Sequence, residues 1–165
     1  MWNPHPPLSG FPFVLVFLLT ALELRALFLK GDDLKVWNDR TVGVLLSFSL
    51  VMIPLTYFSG YFGADFANAR FEVPEELILQ HQLWGKSALF LMIGCGVAFA
   101  LYSAAPQHKA GARKGLRLLY RIGIFSLVAL LARASYLGGQ LVFEHGAGVR
   151  APIASPTSNT PPTPP

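Results

Sequence analysis

The chain's 165 residues could make a single domain, but 53% of them are hydrophobic and only 13% charged. That balance, with a mean hydropathy of +0.47, is too apolar for a water-facing surface. The single cysteine, Cys95, excludes an intramolecular disulfide, a paired-thiol redox motif, a multi-thiolate metal site and covalent attachment of a c-type haem. The net charge of +4 sits in short basic stretches beside apolar runs, without aromatic interleaving, which argues for lipid headgroups and against nucleic acid.

Four apolar runs approach the roughly 20 residues that a helix needs to cross a bilayer. They cover about 11–29, 41–60, 87–105 and 118–139. The first follows "MWNPHPPLSG", which has no Lys or Arg, and no small-residue cleavage site comes after it, so it reads as a retained span and not as a signal peptide. Within it, Glu23 and Arg25 are two positions apart and point away from each other on a helix. Arg25 is expected to snorkel to the interface, and Glu23 to pair with Arg121 or to be carried in its neutral form.

The connection after the second run holds "VPEELILQHQLWGK", in which Pro74 marks a helix start and Glu75 and Glu76 occupy its first turn. The third helix should therefore begin outside the membrane and carry His81 into the interface, with Trp84 and Lys86 as anchors. Gly94, Gly96, Ala98 and Ala100 give this span small positions for close helix packing. In the fourth run Arg133, Tyr136, Gln140 and Glu144 fall at i, i+3, i+7 and i+11, a polar stripe expected to face the bundle. The run ends in "YLGGQLVFEHGAGV", where Gly146 and Gly148 should stop the helix beside Glu144 and His145. A Pro/Ser/Thr-rich tail follows over 151–165, read as disordered.

Lys and Arg divide eight to three between the two sets of connections, the richer set joining spans one to two and three to four. The positive-inside rule then puts both termini on the exterior side. His5, His81 and His145 would share that level, while His108 lies in the basic loop. A lone interfacial histidine is usually structural, but three at one level could supply axial ligands to a haem iron. The spacing contains no local metal motif, so such a site needs convergence in three dimensions.

"HPPLSGFP", Glu23, "GYFGAD", His81 and "YLGGQLVFEHGAGV" together resemble the bacterial four-span membrane family catalogued as domain of unknown function 2231, over about 5–149. Relatives commonly carry a second N-terminal histidine where this chain has Gly10. Members of that family also occur fused to Rieske-type or cytochrome c-type domains, so the resemblance implies an electron-transfer setting.

The expectation is an all-α integral membrane four-helix bundle over 1–150, multi-pass in the cell membrane, which is the cytoplasmic membrane if the source is bacterial. It would act as a redox-associated module holding non-covalent haem b. His81 and His145 are the expected axial ligands and His5 the substitute; Arg133 or Lys86 would meet the propionates, and Glu144 stands at the mouth. Expected partners are the lipid bilayer and a redox protein such as a cytochrome or Rieske-type protein. The alternative is a non-catalytic scaffold or anchor subunit. No phosphate loop, nucleophile elbow or paired-carboxylate motif points to an enzyme.

Overall fold

A computed structural model describes residues 4–71 and 73–147, with side chains described for all of these except 66–71. The described residues form helices and no strand: α1 (His5–Leu8), α2 (Gly10–Ala26), α3 (Asp32–Phe71), α4 (Glu75–Ala104) and α5 (Ala110–Phe143). Four stretches, His5–Ala26, Asp32–Asp65, Glu75–Ala104 and Ala110–Phe143, are long and apolar enough to cross a membrane. At about 1.5 Å per residue, all four are long enough for the roughly 30 Å of a hydrocarbon core, the first only just. The expected tail over 151–165 and the second of the two terminal glycines, Gly148, lie outside the described residues.

The helix starts follow local chemistry. Pro6 and Pro7 occupy the first turn of α1, where a missing N–H costs nothing. Pro74 precedes α4 in an extended conformation, and Glu75 and Glu76 in the first turn oppose the positive end of the helix dipole, as expected. Beyond α5, Gly146 takes a φ of 69°. Its N–H reaches Val142 and that of Ala147 reaches Leu141, closing the helix with carbonyl partners. Ala147 then buries itself with Val73 and Ile78, which fastens the end of α5 across the α3–α4 connection.

The helix that contains the expected span 118–139 is longer than that span: α5 starts at Ala110 and takes Arg113, Lys114 and Arg117 into its first turns. The connection is confined to 105–109.

The four long helices form a ring in which α2 touches α3 and α5, and α4 touches α3 and α5. Among the described residues no Cα atoms come within 8 Å across either diagonal. Leu19, Val42, Met92, Ile124 and Leu127 fill the centre, while Phe17, Phe48, Phe90 and Leu118 face outward. Apolar residues on every side of a helix are what a lipid-facing bundle requires and a water-facing one forbids. The closest pair is α4 and α5. Gly123 lies against the sulfur of Cys95, and on the other flank of α4 Gly96 receives Leu50 of α3.

Candidate functional site

Both ends of the bundle carry polar constellations. At the end shared by α1 and the end of α5, the His5 and His81 rings meet edge to face with centroids 6.0 Å apart. His5 Nδ1 lies 3.0 Å from the Thr56 carbonyl and 3.0 Å from Ser59 Oγ on α3. His81 Nδ1 lies 2.9 Å from the Ala134 carbonyl on α5. A carbonyl only accepts, so Nδ1 donates in both rings and Nε2 is the basic nitrogen of the neutral form.

Two glycines shape this pocket. A Cβ on Gly60 would stand 2.6 Å from His5 Cε1, and one on Gly138 would stand 3.1 Å from His81 Cε1. Elements α1, α3, α4 and α5 therefore converge on two imidazoles, each held by a carbonyl of a neighbouring helix. Such contacts position a ring in the same way that carbonyl partners orient metal-binding histidines.

The other expected site residues are placed as follows. His145 is half-buried in the turn after α5 and has no ring contact with His5 or His81 among the described residues. Glu144 is exposed and accepts a 3.3 Å hydrogen bond from Gln140. Lys86 lies on the outer face of α4. Arg133 also faces outward, its guanidinium 5.4 Å from the Tyr136 ring centroid. The polar stripe of α5 was expected to face the bundle; at Arg133 and Tyr136 the structure turns it away.

At the opposite, basic end lies a constellation that sequence reasoning found only in part. Glu23 of α2 is fully buried, and Arg117 reaches it with Nε at 3.1 Å and Nη2 at 2.8 Å. Arg121 Nε adds a third bond at 2.9 Å, realising the expected pairing. Arg117 Nη1 also reaches Asp39 of α3 at 2.8 Å, and Asp39 accepts a 2.6 Å bond from the Tyr102 hydroxyl on α4. The guanidinium of Arg117 is flanked by the rings of Phe99, Tyr102 and Tyr120 at 4.9–5.8 Å. Two carboxylates thus balance two guanidinium groups, and all four long helices contribute. Asn38 and the Tyr120 hydroxyl are also buried here without hydrogen-bond partners among the described residues.

Arg117 and Asp39 were missed because each sits among exposed charges in sequence. The available signal was the pair Arg117 and Arg121, one helical turn apart and able to face a single acid.

Two neutral imidazoles are a donor set that haem iron accepts, so His5 and His81 fit the group chemically. In this arrangement their rings are in contact, with Gly60 and Gly138 closing on them. The cavity of about 270 Å³ near this end is lined by residues of α3 and α4 and by neither histidine. Among the described residues no group of three or more His, Cys, Asp or Glu side chains is placed to hold a metal ion. Compared with known proteins, the chain matches no family model, no curated protein and no solved structure.

Proposed function

We propose that this chain is a multi-pass membrane module associated with electron transfer, with the His5–His81 pair as its cofactor site and haem b as the cofactor class. The observation that carries this reading is the meeting of two imidazoles, both oriented through Nδ1 by backbone carbonyls of other helices. Haem, when bound, supplies one-electron chemistry. The chain's own residues hold the imidazole planes, set which nitrogen is basic and surround the pair with apolar helices. His5 takes the place given to His145 in the sequence reading, and the motif resemblance supports a cytochrome or Rieske-type protein as partner.

Absorption of protein purified from a haem-replete host in mild detergent tests the reading. A Soret band that sharpens and shifts on dithionite reduction is expected. His5→Ala and His81→Ala should each abolish it or convert it to a high-spin form, whereas His145→Ala and His108→Ala should retain it. Folded but haem-free wild-type protein would defeat the proposal and favour a scaffold. That second reading has its own support: the rings pack directly on each other, as expected of hydrogen-bonded joints between helices.

The proposed orientation places the basic end in the cytoplasm and both termini outside, on the lysine and arginine asymmetry. In a Cys95→Ala background, Asp33→Cys or Ala110→Cys should be shielded from an impermeant thiol reagent in intact cells. Ser155→Cys should react. The reverse labelling pattern inverts the orientation.

A further inference from the structure

We propose that Arg133, with Tyr136 beside it, is the headgroup site for one anionic phospholipid, in the leaflet at the His5–His81 end of the bundle. A hydrogen bond fixes the level: the carbonyl of Ala134, one residue along, meets His81 Nδ1 at 2.9 Å. Arg133 is exposed on the outward side of α5, its guanidinium 5.4 Å from the Tyr136 ring centroid. Among the described residues it forms no ion pair. Arg117 and Arg121, nearer the other end of the same helix, are both paired with Glu23.

Depth decides what can reach this cation. Between Arg121 and the helix end at Phe143, Arg133 is the only charged residue of α5. It stands six residues before the end of the apolar run at 139, about 9 Å along the axis. A guanidinium at that depth snorkels toward water, and the bilayer thins locally to meet it. The anion first met there is a lipid phosphate, which a guanidinium binds through two parallel N–H···O bonds. A lipid of net negative charge completes the neutralisation, whereas a zwitterionic one brings a cation of its own. Tyr136 is 59% exposed one turn nearer the helix end, and its hydroxyl on an apolar ring is the combination that settles at headgroups. On the other side of Arg133, Ala129 and Ser126 are exposed at i−4 and i−7, small side chains that leave room for an acyl chain below the headgroup. A second copy suits this face poorly. A two-fold pair built on it sets Arg133 opposite Arg133 at one level, where like charges repel.

Native mass spectrometry of the full chain in mild detergent, titrated with phosphatidylglycerol or phosphatidylcholine, tests this. Wild type should bind the first about tenfold more tightly, the scale of a charge-assisted hydrogen bond. Arg133→Gln should lower the affinity for phosphatidylglycerol about tenfold and leave that for phosphatidylcholine unchanged, while thermal unfolding in lipid-free detergent matches wild type. Arg133→Lys, which keeps the charge but not the fork, should retain part of the preference. Excess inorganic phosphate should not displace the lipid, because the acyl chains are held as well; displacement would overturn the lipid assignment in favour of a free anion. Equal affinity for the two lipids, or a preference undiminished in Arg133→Gln, would overturn the proposal. Arg133-dependent dimers without bound lipid would also overturn it, giving the face to a second copy.

Discussion

Arg117→Leu should lower stability by about 3–5 kcal/mol, the range for breaking a buried ion pair by removing one partner. The variant loses two bonds to the fully buried Glu23, one to Asp39 and the contacts with three aromatic rings. Arg121→Leu should cost markedly less, since the Arg121 side chain is 26% exposed and gives Glu23 one of its three bonds. Thermal unfolding in one detergent, followed by circular dichroism, separates the two. Replacing both Glu23 and Arg117 by methionine should cost less than the sum of the single replacements, because no carboxylate is then left buried opposite an apolar side chain. Equal losses for Arg117→Leu and Arg121→Leu would mean that the buried geometry of Arg117 contributes nothing special.

Gly123→Ala should destabilise by about 1–3 kcal/mol, the usual range for overpacking. Its new Cβ meets the Cys95 sulfur across the α4–α5 contact, and both positions are buried. Cys95→Ala removes the obstructing atom, so the double variant should recover most of that loss. Gly94→Ala offers the contrast: a Cβ at that position has nothing within 4 Å of it. That substitution should be neutral or stabilising by up to about 1 kcal/mol through helix propensity alone. If Gly123→Ala is as harmless as Gly94→Ala, the two helices are not in contact at Cys95.

These glycines also show where sequence reasoning runs out. Gly94, Gly96, Ala98 and Ala100 read as one small-residue stripe, but Gly94 and Ala100 face outward while Gly96 and Ala98 pack inward. Hydrophobicity identifies a membrane helix through its length, and the same uniform apolarity hides which side is the interior. Arg133 illustrates the cost of that ambiguity. Leu131, Ala134 and Leu137 are the inward positions of α5, and Arg133, one residue from Ala134, is turned about 100° away from it. The four long helices, the start of α4 at Pro74 and the glycine stop at Gly146 were readable because they rest on local chemistry. The meeting of His5 with His81 and the threefold capture of Glu23 depend on helix register, which local patterns do not encode.

The ion cluster also sets an order of events during synthesis. Glu23 lies in the first span, and Arg117 and Arg121 come 94 and 98 residues later. At about 5–20 residues per second, the first span waits roughly 5–20 s before either cation exists. Throughout that interval the nascent chain carries an acid whose native cationic partners are still unmade, so its earliest membrane state must keep Glu23 wet or sheltered by other polar groups. Arrival of α5 discharges that burden, so the bundle closes only once its fourth long helix has been made.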